Sequence, residues 1–363
     1  MIIKCLETFT RGHLSFVRVR TDDGAIGMGQ MSPYNADISA MVFHRQIAPH
    51  ALGADALDPD GLADRIIEAT YKFPGSYVCR ALTGLDTALW DLRGRLEGKS
   101  VCELLGGQPR PLAAYGSSMR RDITPEEEAE RLVRLRDARG FGAFKIRVGK
   151  VVGHDEDQWP GRTESLVPTV RRALGQDVAL LVDGNSCYTP RRAIEVGQLL
   201  QEHGVCHFEE PCPYWELEWT AQVTRALDVP VAGGEQDYDL SQWRRIIDMH
   251  AVDIVQPDLC YIGGLSRALR VARMAADAHM PCVPHSANLS MVTVFTLHML
   301  GAIPNAGPHF EFSIEATPWT VGLFAPALRV HDGQVNIPDG PGWGVVVSEE
   351  WLAASERRVS ELG

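Results

Sequence analysis

The chain has 363 residues and a formal net charge of −12, with 45% hydrophobic and 23% charged residues. This length can hold one large domain and a smaller one, and the composition is that of an ordinary globular protein. The negative charge excludes nucleic acid and anionic membranes as expected partners, because both select a basic surface. The eight cysteines form no Cys-x-x-Cys pair, and no signal peptide or membrane span is visible, so we expect a cytoplasmic protein.

The first 111 residues are predicted to form an α+β domain. Residues 1–30 alternate valines and phenylalanine with arginines, and Asp-Asp-Gly at 22–24 is typical of a hairpin turn. From about 36 to 106 the pattern becomes helical, with leucines at 82, 85, 89 and 92. Strands followed by helices indicate α+β organisation. The tail 325–363, rich in Pro and Gly, is predicted to return to this domain and complete it.

Strands and helices alternate from residue 112 to 324. Strands are predicted near 112–117, 143–147, 178–182, 205–208, 229–232, 252–256, 281–284 and 308–312. Helices are predicted near 125–139, 163–174, 190–203, 216–227, 241–248, 264–278 and 290–300. This alternation predicts the α/β class and a (β/α)8-type TIM barrel, in a modified (β/α)7β form whose last helix is altered or missing.

Five carboxylates and one histidine recur at the spacing of a strand–helix unit. Asp183, Glu209 and Glu235 are 26 residues apart (209 − 183 and 235 − 209), and further intervals of 23, 27 and 26 lead to Asp258, His285 and Glu311. Each follows a short apolar segment, so each is predicted to end a strand. In a TIM barrel those ends open on one face, where active sites are built. The pattern therefore predicts a metal-dependent enzyme.

Asp183, Glu209 and Glu235 are the predicted metal ligands. All three offer hard oxygen donors, which suit Mg²⁺ better than zinc. The alternative is that these acids cap helices or pair with arginines. Their fixed period on successive strand ends favours the metal site.

Lys145 and Arg147 are the predicted cations of the site. They are two residues apart on one strand, so both side chains are predicted to face the barrel interior. Buried cations require anions. A substrate carboxylate could provide the anion, or the cations could neutralise the three metal-site acids in the resting structure. The two roles are compatible.

His285 and Asp258 are predicted to form a catalytic pair on neighbouring strands. A carboxylate that accepts from one imidazole nitrogen fixes the tautomer and makes the other nitrogen a better base. Glu311 faces the same end of the barrel, where it could donate to an oxyanion if protonated or pair with Lys145. Asn185 and Tyr188 are candidate contacts for substrate hydroxyls.

The whole layout resembles the enolase superfamily, specifically its mandelate racemase subgroup. The resemblance rests on ALTGLDTALWDLRGRLEGKSVCELLGG, KIR, VDGN, EEP, GGEQ, QPDLCYIGG, PHSAN and HFEFS. It implies that residues 1–111 with 325–363 form a capping domain over the barrel of 112–324. It also implies a Mg²⁺ site and removal of a proton α to a carboxylate, assisted by Lys145 and Glu311. By the same resemblance, loops near residues 10–35 contact the distal end of the substrate, with His13, Arg11, Tyr34 and Asn35 as candidates.

Arg147 departs from the family pattern Lys-x-Lys. Guanidinium is a poor base, because it keeps its proton throughout the accessible pH range. Racemisation requires a base on each face of the carbon, and His285 is the clear remaining one, although Lys145 is an alternative. We therefore predict a Mg²⁺-dependent dehydratase that converts a sugar acid, an aldonate or aldarate, to a 2-keto-3-deoxy acid. An epimerase, a lactone cycloisomerase and a non-catalytic ligand-binding barrel are the alternatives, and a homo-oligomer is expected.

Overall fold

The computed structural model describes residues 1–363. The strands are β1 Ile3–Arg11, β2 Leu14–Thr21, β3 Ile26–Gln30, β4 Pro111–Ser117, β5 Ala143–Arg147, β6 Ala179–Asp183, β7 His207–Glu209, β8 Val231–Gly233, β9 Ile254–Val255, β10 Phe310–Ser313, β11 Phe324–Ala325, β12 Gln334–Asn336, β13 Val346–Val347 and β14 Glu356–Glu361. The helices are α1 Ala36–Val42, α2 Ala48–Ala51, α3 Pro59–Ala69, α4 Gly75–Glu97, α5 Val101–Leu104, α6 Pro125–Arg139, α7 Arg162–Leu174, α8 Pro190–Glu202, α9 Leu217–Ala226, α10 Leu240–Asp248, α11 Leu259–Ile262, α12 Leu265–Asp277, α13 Met291–Leu300 and α14 Glu349–Ala353. A π-helical turn, Phe43–Ile47, joins α1 to α2.

A four-stranded antiparallel sheet forms the N-terminal part of the protein. Its order is β14-β1-β2-β3, so the last strand of the chain pairs with the first. The sheet packs on α4, and the contact is closest at Gly27. A Cβ atom there would lie 2.1 Å from the carbonyl oxygen of Ala88, so only glycine allows this approach. The sheet and helices enclose a cluster of 21 buried hydrophobic residues.

The central sheet is a closed parallel barrel. Its hydrogen-bonded order is β10-β4-β5-β6-β7-β8-β9, with β10 beside β4. Helices separate the strands, and the chain leaves β10 without a further barrel helix. The predicted capped α/β barrel is confirmed.

The structure corrects the prediction of a strand at 281–284. This segment makes only isolated bridges, from Cys282 to Val255 and to Ala306, and it closes the barrel between β9 and β10 in that way. Pro281 and Pro284 flank the bridge, and each lacks the backbone N–H that a regular ladder needs. His285 therefore stands on an irregular segment.

The C-terminal tail contacts both predicted domains before it ends in the N-terminal sheet. β12 pairs antiparallel with β4, at the start of that barrel strand. Trp343 then donates from its indole nitrogen to the carbonyl oxygen of Thr87 on α4, at 2.9 Å. The boundaries at 111 and 325 stay predictions.

Side chains alternate along the barrel strands, so that charged and apolar side chains lie on opposite faces of the sheet. Lys145, Asp183 and Glu209 face the interior, whereas Phe144 and Phe208 join the 65-residue hydrophobic core. All eight cysteines are free thiols. None of the helices is both long and apolar enough to cross a membrane.

Candidate active site

Lys145 is at the centre of a buried cluster of carboxylates at the C-terminal ends of the barrel strands, here called the mouth. Its ammonium lies 2.6 Å from Glu209, 2.9 Å from Glu311 and 3.7 Å from Asp183. Burial alone would lower the pKa of Lys145, but the charges of Glu209 and Glu311 raise it. Lys145 is therefore a fixed cation in this structure.

Arg147 uses its guanidinium to hold neighbouring parts of the mouth together. It pairs with Asp183, and its Nε donates to the carbonyl oxygen of Ser118 at 3.0 Å. Its Nη1 also donates to Asn185 at 3.1 Å, and Nη2 contacts the sulfur of Met119 at 2.8 Å. Both cations thus neutralise acids in the structure, as in the second of the two roles predicted for them.

Arg121 is a neighbour of the site that the sequence analysis missed. Its Nη2 donates to Asn185 Oδ1 at 2.8 Å, the oxygen that Arg147 also contacts. Burial, then repulsion from Arg147 and Arg162, lowers the pKa of Arg121 to about 9. Its position four residues beyond the end of β4 (121 − 117) was the available signal.

His285 and Asp258 form a buried pair across neighbouring segments. His285 Nδ1 lies 2.7 Å from Asp258 Oδ2, and Asp258 Oδ1 accepts from the backbone nitrogens of Cys260 and Tyr261 at 2.6 and 3.1 Å. The other imidazole nitrogen, Nε2, lies 3.4 Å from Glu235. Burial lowers the pKa of His285, but Glu235 and Asp258 outweigh it and raise the pKa to about 10.

Glu311 is ionised and fully paired. It accepts from Ser117 Oγ and from the backbone nitrogen of Ser286, both at 2.7 Å, in addition to its contact with Lys145. Burial raises its pKa, whereas Lys145 and His285 lower it to about 2. Of the two roles predicted for Glu311, the structure favours the ion pair with Lys145.

The predicted metal ligands have a donor set that fits Mg²⁺, although no three of the acids or histidines are gathered closely enough to hold an ion. Each carboxylate instead faces a basic group: Asp183 faces Arg147, Glu209 faces Lys145 and Glu235 faces His285. Asp183 and Glu209 are register partners on β6 and β7. Burial raises the pKa of Glu235, and the charge of Glu209 raises it further. Hard oxygens whose charges repel one another at neighbouring strand ends are suited to a divalent cation.

Aromatic side chains from both ends of the chain meet near the mouth. The rings of His13 and Tyr34 lie 5.5 and 5.8 Å from that of Trp319, which the sequence analysis missed, and 5.6 Å from each other. Burial and the charge of Asp258 raise the pKa of Tyr34. His13 and Tyr34 stay candidate substrate contacts.

The Tyr188 side chain lies in the hydrophobic core, and its predicted contact with substrate hydroxyls stays a prediction. Its ring is buried in the hydrophobic core and packs against Phe208, with ring centroids 6.4 Å apart. Phe208 points away from the interior because its neighbours His207 and Glu209 face inward, with 3.5 Å between their side chains. Asn185 lies at the mouth, where its Nδ2 donates to Asp183 at 3.3 Å.

The fold and these side chains define a capped α/β barrel with buried acids and bases gathered at its mouth. The profile of the mandelate racemase / muconate lactonizing enzyme N-terminal domain matches residues 3–106, and the enolase C-terminal domain-like profile matches residues 127–351. The chain belongs to the mandelate racemase / muconate lactonizing enzyme family of the enolase superfamily.

Relatives cover nearly the whole chain. It is 29% identical to the arabinonate dehydratase of Saccharolobus solfataricus, over 91% of this chain and 87% of that protein. It is 30% identical to the D-galactarolactone cycloisomerase of Agrobacterium fabrum, over 94% and 90%.

Solved structures agree on the fold. A Roseobacter denitrificans protein provisionally named a racemase is 59% identical, with a TM-score of 0.98 and 100% of both chains covered. A mandelate racemase/muconate lactonizing protein from Paracoccus denitrificans, complexed with magnesium, is 30% identical with a TM-score of 0.89, covering 99% of this chain and 98% of that one.

Proposed function

We propose that this protein is a Mg²⁺-dependent sugar acid dehydratase that acts on an aldonate or aldarate. The observation that carries the proposal is the buried His285–Asp258 pair, 2.7 Å apart, at the mouth. His285 takes the C2 proton, the C3 hydroxyl leaves as water, and the enol product becomes a 2-keto-3-deoxy acid. The dehydratases among the relatives support this reaction class.

Asp258 prepares His285 for proton transfer. Because Asp258 accepts at Nδ1, the proton stays on that nitrogen and Nε2 becomes the basic one. In the structure the charge of Glu235 raises the pKa of His285, which opposes release of the Nε2 proton. With Glu235 engaged as a metal ligand, that attraction would be weaker and His285 would act as the base. The protonated imidazole can then supply the proton that leaves with the C3 hydroxyl.

Lys145 and Glu311 provide the fixed charges beside the reacting carbon. Removal of a proton α to a carboxylate creates a dianionic enediolate, which pre-placed positive charge stabilises. Lys145 supplies such a charge, and Glu311 holds it in position at 2.9 Å. Arg147 pairs with Asp183 and donates to Asn185, and a guanidinium group is a poor base.

Asp183, Glu209 and Glu235 would hold the Mg²⁺, which as a Lewis acid polarises the substrate carboxylate. We expect Mg²⁺ to raise the melting temperature, because an ion that binds only the folded state stabilises it. Glu235→Gln should weaken this shift, as measured by differential scanning fluorimetry over a Mg²⁺ titration. Glu195→Gln is the control, since Glu195 is on the surface and pairs with Arg191 at 3.2 Å. An equal shift in both variants would argue against the proposed ligand.

Proton NMR in D₂O with Mg²⁺ over a panel of acid sugars tests the reaction. A dehydratase removes the C2 proton signal and produces the deoxy methylene signal of a 2-keto-3-deoxy acid. The substrate that gives both signals identifies the acid. Exchange of the C2 proton without the methylene signal would contradict dehydration.

A lactone cycloisomerase is the second candidate, because a cycloisomerase is 30% identical over nearly the full length. The same base and charges could enolise a lactone. The panel therefore includes sugar-acid lactones, and their conversion without loss of water would favour this activity. We also predict that the protein is cytoplasmic and that it forms a homo-oligomer.

A further inference from the structure

Gln30 connects the N-terminal sheet to the segment that follows His285. It ends β3 and is completely buried. Its Nε2 donates to Ser290 Oγ at 3.0 Å, and its Oε1 accepts from the backbone nitrogen of Met291 at 3.0 Å. Ser290 precedes α13 but makes no capping bond with its own side chain. Gln30 therefore satisfies a helix N-terminal donor that would otherwise lack a partner.

The contact reaches His285 through a short hydrogen-bonded segment. Only five positions separate His285 from Ser290 (290 − 285). Ser290 donates its backbone N–H to Asn288 Oδ1 at 3.2 Å, and Thr293 Oγ1 donates to the Asn288 carbonyl at 2.7 Å. Ser286 Oγ lies 2.9 Å from the same Thr293 hydroxyl. A displacement at Ser290 would thus be transmitted towards His285.

This support matters because His285 is not on a regular strand. The segment makes isolated bridges, and the His285 backbone nitrogen donates to the carbonyl oxygen of Pro257 at 3.2 Å. A ladder of strand hydrogen bonds fixes most other residues of the mouth. His285 has fewer such bonds, so its position depends more on side-chain contacts.

α4 supports the segment after Asp258 in the same way. Thr83 Oγ1 lies 3.1 Å from the carbonyl oxygen of Cys260 and 3.2 Å from that of Leu259, and it shares its one proton with the carbonyl oxygen of Cys79 on α4, at 3.1 Å. One helical turn further, Asp86 accepts from the backbone nitrogen of Ser266 at 3.3 Å. Thr83 thus contacts α11, whose first turn is capped by Asp258 itself, and Asp86 contacts the start of α12.

We propose that Gln30 and Thr83 are positioning residues, which hold the segments after His285 and Asp258 so that the two side chains keep their 2.7 Å contact. The inference rests on the proposed role of His285 as the base. Buried residues of the N-terminal part of the chain would thus set the geometry of proton transfer without contacting the substrate.

The test uses two readouts on Gln30→Leu and Thr83→Val. The first is the Nδ1 proton of His285 in ¹⁵N-histidine-labelled enzyme, assigned by its loss in His285→Asn. We expect this resonance to broaden or shift in both variants, because the short hydrogen bond is no longer held. The second is kcat per folded enzyme, which should fall by up to about 100-fold with little change in KM, since misplacement of about 1 Å can cost that much.

Two variants act as matched controls. Thr83→Ser keeps the hydroxyl and should keep the resonance. Arg270→Met removes a different contact between α12 and α3, where Arg270 lies 2.8 Å from Asp64 and 2.6 Å from Asp60, so it should lower stability and leave the resonance unchanged. If Gln30→Leu does not fold, Ser290→Ala removes one of the two contacts of Gln30 from the other partner and leaves the hydrogen bond from the Met291 N–H in place.

The outcomes separate the inference from the proposed function. An unchanged His285 resonance in Gln30→Leu and Thr83→Val would overturn the positioning role, even if the wild-type enzyme dehydrates a sugar acid. A changed resonance in these variants, together with no dehydration by the wild type, would support the positioning role and contradict the proposed function. A resonance equally changed in Arg270→Met would show a general loss of packing and overturn the inference.

Discussion

Replacing His285 with Asn should lower kcat by about 10²–10⁴-fold, the range that a general base contributes. Asn cannot accept and return a proton, whereas the fold around it is held by contacts that the change leaves in place. Substrate binding should persist, because the proposed Mg²⁺ site, and not His285, would hold the substrate carboxylate. Turnover by NMR and affinity by calorimetry, both with Mg²⁺, measure the two effects separately.

His250→Asn is the matched control, because His250 also pairs with an aspartate. Its Nε2 lies 3.0 Å from Asp253 on the protein surface, and His250 has no part in the proposed mechanism. This variant should retain wild-type kcat. If His285→Asn kept the wild-type rate, Lys145 would become the leading candidate for the base. A wild-type protein that binds acid sugars without turnover would instead favour a ligand-binding protein.

Replacing Lys145 with Met should lower the free energy of unfolding by about 3–5 kcal/mol in Mg²⁺-free buffer. The change leaves Glu209 and Glu311 buried without their cation, and loss of one partner from a buried ion pair costs this much. Activity should fall as well, because the fixed charge beside the enediolate is lost. Urea unfolding followed by circular dichroism measures the stability change.

Lys150→Met tests whether burial is the cause. Lys150 also pairs with a glutamate, Glu156, but its side chain is 41% exposed. An exposed pair contributes less than about 1 kcal/mol, because water already solvates both charges. Equal destabilisation by the two substitutions would contradict the view that the buried carboxylates depend on Lys145.

Local sequence determined the order of the structural elements. The helices predicted near 125–139 and 190–203 are observed as Pro125–Arg139 and Pro190–Glu202. The strand predicted at 143–147 is observed as Ala143–Arg147. These elements could be predicted because hydrophobic period, capping residues and first-turn prolines are properties of neighbouring residues.

The spacing of the acids also predicted which strand ends carry ionisable side chains. Alternation put Lys145 on the inner face, and the inference that Asp258 lies beside His285 followed from adjacent strands in a parallel barrel. The sequence did not show that the Tyr188 ring lies in the hydrophobic core, because a short loop after a strand can direct a side chain inward or towards the surrounding helices. The prediction of a strand at 281–284 was wrong, because an apolar run between two prolines has the pattern of a strand but lacks two of its backbone N–H donors.

The sequence by itself therefore determined the barrel, the rim positions of its acids and base, and the departure of Arg147 from a lysine pair. Only the tertiary structure decided which charges are paired, since Lys145 and Glu311 are 166 residues apart (311 − 145) and meet through closure of the barrel. Packing of the N-terminal part of the chain against the barrel likewise brought His13 and Tyr34 beside Trp319, and Gln30 beside Ser290. Periodicity reports the face on which a side chain lies, whereas contacts between distant segments depend on how the whole chain packs.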